Sequence, residues 1–272
     1  MIKTDEVSEK ICYTVLLSLD GVYKNGRYIE PESNFAVPND YIIRIAETDK
    51  YFLVGASVHP YREPKEMIAE TRHCIDRGAV LFNWIPSVQQ IDPEDDRCIP
   101  FYICLVREGI PLLLHNGITP EAQKSVSTAG RYNDPGKLGK ALDIGVKVIA
   151  AHCAPHYSSV GQPSEKGYMD ELMEMLRAAT EKKWDLYTDM SFFNRPVKIA
   201  CLEKIKSEGS RTTADAVRIL HAGHAPSSGE DINATEIPSY VNSLSESSCR
   251  QSIQSYNSHK FPFRPEYIIR YL

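Results

Sequence analysis

The sequence predicts an α/β protein in which one parallel β-sheet is covered by helices. Short apolar runs of strand length recur along the chain, and helical stretches separate them at a spacing of roughly 30 residues, the length of one strand–helix–strand unit. A run that is apolar on both faces is typical of a strand buried on both sides. No Gly-x-Gly-x-x-Gly follows the first run, so an open dinucleotide-binding sheet would lack its phosphate loop. We therefore predict a TIM-type (β/α)8 barrel rather than a doubly wound sheet.

Seven apolar runs are strand candidates, one fewer than a complete barrel uses. They are Thr14–Leu19, Phe52–Val58, Ala79–Ile85, Pro111–His115, Val146–His152, Leu186–Ser191 and Val217–Gly223. Periodic apolar positions and helix-ending glycines indicate the helices between them. These helices are expected near Tyr41–Ala46, at Pro64–Asp76, in the second half of 92–108, at Leu138–Ile144, at Tyr168–Ala179 and at Val197–Glu208.

The last 41 residues depart from this pattern. Residues 232–272 begin with a Ser- and Asn-rich stretch and end with a short apolar segment, Tyr267–Leu272. We expect an irregular tail with a terminal helix. The whole chain, 1–272, is predicted to be a single domain, because one large core suits an α/β barrel of this length.

Composition excludes several classes of function. The net charge is -5 and no Lys/Arg block is present, which argues against a nucleic-acid surface. No apolar run approaches the roughly 20 residues of a membrane helix, and the residues before Ile11 do not resemble a signal peptide. The seven cysteines include no Cys-x-x-Cys pair, so neither a disulfide framework nor a thiolate zinc site is indicated. We expect a cytoplasmic protein with a small-molecule substrate and neither nucleic acid nor membrane as a partner.

Two strand candidates end on a histidine, His115 and His152. Barrel enzymes place their chemistry at the carboxyl ends of the strands, so the two imidazoles can point into one mouth. Imidazole nitrogen suits zinc and several other divalent metals, and such a metal activates water. The alternative is a pair of core histidines. For one histidine alone that alternative is the better one, but repetition at equivalent positions favours the metal.

Further polar residues fall at strand ends. Asp189 is the carboxylate best placed to manage a proton during catalysis; a helix N-cap or a salt-bridge partner is an equal alternative. His59 precedes Pro60 at a strand end and could line the mouth and bind substrate; a turn-stabilising histidine is the alternative. Asn83, at the end of the third strand candidate, is a second substrate-binding candidate.

Five segments carry a family resemblance. They are Val54–Arg62, Gly78–Pro93, Leu112–Gly117, Ile149–Cys153 and Leu186–Ser191. In this order they resemble the amidohydrolase-related metal-dependent hydrolases (amidohydrolase family 2), a branch that also contains the aminocarboxymuconate-semialdehyde-type decarboxylases. The resemblance covers roughly Thr14 to Pro226. It implies a (β/α)8 barrel with one or two metal ions, for which His115 and His152 would be ligands.

The sequence also departs from this family. Its members begin with a strand ending in His-x-His, and this motif is absent here. Asn83 stands where relatives often have a lysine, and His224 stands where they have an aspartate that acts as ligand and proton shuttle. The resemblance therefore implies a barrel that is incomplete or distorted at its first strand, with His115, His152 and His224 as the metal ligands. We expect Met1–Cys12, the C-terminal tail or a second subunit in a homodimer to cover the open edge.

The sequence thus favours an enzyme, a metal-dependent hydrolase that acts on a small amide, ester or lactone through a metal-activated water. Zinc is the first choice of metal, and His224 and Asp189 are the catalytic candidates. The alternatives are a decarboxylase on the same scaffold and a degenerate relative that has lost its metal and serves as a binding module.

Overall fold

The computed structural model describes residues 12–117, 132–152, 154, 167–189, 219–220, 222–224 and 268–271; for 12–13 and from 219 onward the description is limited to the backbone. The strands are β1 (Cys12–Leu17), β2 (Tyr23–Lys24), β3 (Arg27–Tyr28), β4 (Phe52–Ala56), β5 (Ala79–Trp84), β6 (Leu112–His115), β7 (Val148–Ala151), β8 (Leu186–Asp189), β9 (Ile219–Leu220), β10 (Ala222–His224) and β11 (Ile268–Tyr271). The helices are α1 (Asn39–Ala46), α2 (Pro64–Asp76), α3 (Pro86–Gln89), α4 (Ile99–Glu108), α5 (Gly139–Ile144) and α6 (Tyr168–Ala178), with single 3-10 turns at Glu30–Glu32, Asp96–Cys98 and Pro135–Leu138.

One parallel sheet forms the centre of the molecule. Its strands pair in the order β10-β11-β1-β4-β5-β6-β7-β8-β9, while β2 and β3 form a separate hairpin. β9 and β10 stand at the two ends of this order, yet a single residue separates them in the chain. Leu220 pairs with Asp189 of β8, and His224 pairs with Tyr271 of β11. The two ends of the sheet are therefore only one residue apart in the chain, as expected for strands arranged in a barrel. The predicted α/β barrel is confirmed.

β11 lies between β1 and β10, where it is parallel to both. The predicted terminal helix is therefore wrong at Ile268–Tyr271, where the structure has a strand. A short apolar run cannot be assigned to helix or strand by periodicity alone, and β-branched and aromatic residues favour the strand. Of the alternatives for covering the edge of β1, this structure has the C-terminal tail.

Glycine in the left-handed conformation ends two of the helices at the predicted positions. Gly109 (φ 70°) follows α4 and Gly145 (φ 99°) follows α5. A residue with a Cβ atom is disfavoured in this conformation, so each glycine permits the sharp turn into the next strand. The helix predicted at Val197–Glu208 lies outside the described residues. Across the described ranges, no helix has both the length and the apolar character that crossing a membrane requires.

The core has two layers, one outside and one inside the sheet. The outer layer packs the sheet against the helices, and Trp84 of β5 stacks on Phe101 of α4 with 5.0 Å between ring centroids. The inner layer is small and aliphatic. It consists of Val15, Leu81, Leu113, Ile149 and Ala151.

The alternation of side chains along the strands determines which residues point into the barrel above the inner layer. Successive residues of a strand point to opposite faces, so the residue two places after an inward residue also points inward. Asn83 follows Leu81 in this way and His115 follows Leu113, each nearer the carboxyl end of its strand. Asp189 likewise follows Tyr187, which packs against the inner layer. The barrel mouth at this end is therefore polar above an apolar floor.

Candidate active site

The imidazoles of His115 and His152 meet at the carboxyl ends of β6 and β7. Nε2 of His152 lies 3.0 Å from Nδ1 of His115, and the ring centroids are 4.7 Å apart at an interplanar angle of 69°. Both residues are partly buried. The sequence prediction that these two histidines point into one mouth agrees with this geometry.

His152 has an unusual backbone conformation. Its φ is 64°, and Ala154, two residues on, has φ 46°. The left-handed region costs a residue with a Cβ atom about 1–2 kcal/mol, so neighbouring contacts must hold it. The turn ends β7 abruptly at Ala151 and lets the ring of His152 lean toward β6 rather than continue the alternation of the strand.

Asp189 holds this turn from the neighbouring strand. Its side chain is fully buried at the end of β8, and Oδ1 accepts a hydrogen bond of 3.1 Å from the backbone N–H of His152. The two alternatives for Asp189, a helix N-cap and a salt-bridge partner, stay predictions, because residues 190–218, which follow it, lie outside the described residues. The carboxylate lies beside the backbone of His152.

The two imidazoles suit a metal that prefers nitrogen ligands. Two nitrogens bound to one tetrahedral zinc lie about 3.3 Å apart, given Zn–N distances near 2.0–2.1 Å, so a small opening of the pair would admit the ion. Without a metal, one of the two facing nitrogens must carry a proton. Within the described residues no group of three His, Cys, Asp or Glu side chains could hold a metal. The predicted third ligand, His224, ends β10, and its side chain lies outside the described part of the chain.

Asn83 points into the mouth from β5 and is 2% exposed. Its Nδ2 donates to the carbonyl of Ser18 at 3.0 Å, and because a carbonyl only accepts, this bond fixes the orientation of the amide. Oδ1 of Asn83 is buried and has no hydrogen-bond partner among the residues that the structure describes. A buried acceptor without a partner is uncommon in native structures and indicates a place for a ligand or a water.

His59 is fully buried, and the protein occupies both of its ring nitrogens. The Tyr61 N–H donates to Nδ1 at 3.1 Å, so Nε2 carries the proton and donates to the carbonyl of Gln89 at 2.8 Å. Burial lowers the pKa of His59 to about 4, which keeps the ring neutral. These contacts support the alternative of a turn-stabilising histidine over a substrate-binding one.

Sequence reasoning missed the polar cluster that surrounds His59. Gln89, which is 1% exposed, donates through Nε2 to Ser57 Oγ and to the Asp20 carbonyl, both at 3.2 Å, while Asp20 Oδ2 accepts from the His59 N–H at 2.7 Å. Asn116 is a second omission. Its Oδ1 is buried and has no partner within the described ranges, and its position directly after His115 is the signal from which it could have been found.

No protein-family model matches the chain, and no curated protein is significantly similar to it in sequence. Among solved structures, 4-oxalomesaconate hydratase of Rhodopseudomonas palustris matches at a TM-score of 0.50 and 15% identity, over 89% of this chain and 77% of that one. An amidohydrolase of Mycobacterium avium subsp. paratuberculosis matches at 0.48 and 14%, over 78% of this chain and 59% of that one. A TIM-barrel protein of Bordetella bronchiseptica matches at 0.46 and 17%, over 75% and 63%. The chain spans less than two thirds of these last two proteins, and the likeness to the hydratase shows a shared fold.

Proposed function

We propose that the protein is a metal-dependent hydrolase of the amidohydrolase superfamily that acts on a small amide, ester or lactone. The observation that carries the proposal is the convergence of His115 and His152, with 3.0 Å between ring nitrogens, at the end of the barrel where such enzymes work. The similarity in fold to a hydratase is consistent with the proposal by analogy, because hydration and hydrolysis both use water.

Each nearby residue has a role in this proposal. His115, His152 and His224 would hold a divalent metal, with zinc as the first choice. When bound, such a metal supplies Lewis acidity, which lets water lose a proton near neutral pH. The carboxylate of Asp189, which accepts a hydrogen bond from the His152 N–H, would accept that proton, and His224 is the alternative carrier.

The surroundings of the pair would orient the substrate. The fixed Oδ1 of Asn83 can accept a hydrogen bond from a substrate O–H or N–H, because its own amide nitrogen is committed to Ser18. Leu113 and Ile149 close the mouth from below and exclude water there. His59 has a structural role in this proposal and stabilises the shape of the barrel mouth, because both of its ring nitrogens are hydrogen-bonded to backbone groups.

Elemental analysis of protein purified without chelator tests the proposal. The wild type is compared with a His115→Ala/His152→Ala double variant and with a His73→Ala control, since His73 lies exposed on α2. Metal near one equivalent in the wild type and control, absent from the double variant, supports the proposal. Hydrolysis of an ester and lactone panel by the metal-loaded wild type alone would then establish the reaction class. Equal absence of metal from all three proteins refutes it.

A catalytically inactive binding module is the second candidate. Two observations favour it: the His-x-His motif is absent from the sequence, and the described residues hold no three-ligand cluster. This candidate predicts that the double variant matches the wild type in metal content and stability. A decarboxylase on the same scaffold would instead bind metal but release carbon dioxide from a carboxylate substrate and leave esters intact.

A further inference from the structure

We propose that Asp189 is a positioning residue, which holds the backbone of His152 in its left-handed conformation and so aims this ring at His115. The inference rests on the proposed function, because the carboxylate would help to form the metal site of the two histidines. The role is separate from proton transfer. It acts through the N–H of His152 and not through the ring.

The turn after β7 depends on this contact. His152 and Ala154 both have positive φ, and the hydrogen bond of the turn itself, from the Ala154 N–H to the Ala151 carbonyl, is long at 3.4 Å. The bond from the His152 N–H to Asp189 Oδ1 is shorter, at 3.1 Å. Because β7 ends at Ala151, the ladder no longer holds this N–H, and the side chain from β8 takes over.

The residue is itself held in place by its strand. It is fully buried, and its backbone pairs with Leu220 in the next strand. Thr188, one residue before it, pairs with Ala150 of β7 and donates through Oγ1 to the Ala150 carbonyl at 2.7 Å. Strand pairing on both sides therefore fixes the position of Asp189, whose side chain stabilises the His152 turn. The His152 N–H requires an oxygen acceptor at this position, and the amide oxygen of asparagine would accept as well as a carboxylate oxygen.

Three variants test the role. Asp189→Asn keeps an acceptor for the His152 N–H and removes the charge, whereas Asp189→Leu removes the acceptor at similar size. Thr188→Val is the matched control, because it removes a buried hydrogen bond between the same two strands without touching His152. Zinc affinity is measured by competition with a chromophoric chelator. We expect the Asn and Val variants to stay within about threefold of the wild type and the Leu variant to lose about tenfold to a hundredfold, as for other residues that orient a ligand.

A second readout does not need a metal. In histidine-labelled, metal-free protein at one alkaline pH, the imidazole ¹⁵N spectrum reports the hydrogen bond between His115 and His152. The expected result is that the bond persists in the Asn and Val variants and is lost in the Leu variant. If the Leu variant does not fold, as judged by circular dichroism, Asp189→Ala takes its place.

The outcomes separate this inference from the proposed function. Failure of the wild type to bind zinc refutes the function, and the ¹⁵N readout then decides the positioning role. Loss of the ring contact in both the Asn and Leu variants would mean that the charge matters and would overturn the inference. Retention in both, or loss in the Thr188→Val control as well, would also overturn it. An Asn variant that binds zinc but hydrolyses nothing supports both the positioning and the proton-transfer role.

Discussion

Asp20 and Arg62 form a two-pronged ion pair that ties the chain after β1 to the turn after β4. Nε of Arg62 lies 2.7 Å from Asp20 Oδ2, and Nη2 lies 2.9 Å from Oδ1. The same carboxylate accepts from the backbone N–H groups of His59 and Gly21. Four donors thus converge on one side chain that is 8% exposed. This pair fixes the β1–β4 side of the barrel mouth.

Removal of the carboxylate should therefore be costly. We expect Asp20→Ala to lower the free energy of unfolding by about 3 kcal/mol, because it leaves the guanidinium of Arg62 largely buried without its partner. Urea denaturation measures the change. The control is Lys24→Ala, which breaks an exposed pair with Glu32 and should cost less than about 1 kcal/mol. Equal effects of the two changes would contradict a buried role for Asp20.

Acidification should weaken the fold through His59. Its pKa is about 4 in the folded protein because the ring is buried, against about 6.5 in the unfolded chain. The unfolded state therefore binds more protons between these values. The contribution of His59 is complete above pH 6.5 and is lost as the pH falls to 4, by up to about 3 kcal/mol.

The measurement for His59 is the free energy of unfolding at several pH values for the wild type and for His59→Gln. The difference between the two proteins should shrink as the pH falls from 6.5 to 4. His73→Ala is the control, since His73 is exposed beside Asp40. A wild-type and His59→Gln pair with parallel pH curves would show that His59 does not titrate in this range.

Two glycine substitutions should have opposite effects. A Cβ atom at Gly55 of β4 would lie 2.5 Å from Leu17 Cδ2 and 3.0 Å from Val15 Cγ1, inside the packed barrel. Gly55→Ala should cost about 1–3 kcal/mol through overpacking. At Gly139 a Cβ atom meets nothing within 4 Å, and the residue is helical. Gly139→Ala should therefore stabilise the protein by about 0.4–1 kcal/mol. Thermal unfolding of both variants checks the signs.

The pairing of β11 can be tested at Ile269, whose partners in register are Tyr13 and Ala222. Proline has no N–H to donate, so Ile269→Pro should disrupt the ladder and lower stability by more than about 2 kcal/mol. Ile269→Val keeps the backbone N–H and should cost less than Ile269→Pro. Denaturant titration distinguishes them. Equal stability of the two variants would mean that β11 does not hold β1.

The sequence was enough to predict the part of the structure that local patterns encode. The runs that form β4, β5, β6 and β7 are largely apolar on both faces, and such runs are recognisable without any long-range information. The meeting of His115 and His152 was predictable for the same reason. In a parallel barrel the carboxyl ends of all strands share one mouth, so two histidines at strand ends must approach each other.

The features that local patterns do not encode depend on contacts between distant residues. Both ring nitrogens of His59 are hydrogen-bonded, one to the Gln89 carbonyl and the other to the Tyr61 N–H. The local sequence, a histidine followed by a proline, predicts neither contact. The left-handed turn at His152 needs Asp189 on another strand, 37 residues away. The apolar run at Ile268–Tyr271 is a strand and not the predicted helix, because pairing with β1, which lies far away in the sequence, decides its structure.

The place of β11 beside β1 also determines when the barrel can be completed during synthesis. Cys12 pairs with Ile268, so β1 leaves the ribosome long before its neighbour exists. Until then one edge of β1 is open, and an open strand edge readily pairs with other chains. Contacts between such distant residues also form slowly. The nascent protein therefore carries an exposed, aggregation-prone edge until Ile268–Tyr271 have been made, and its yield should depend on chaperones that shield it.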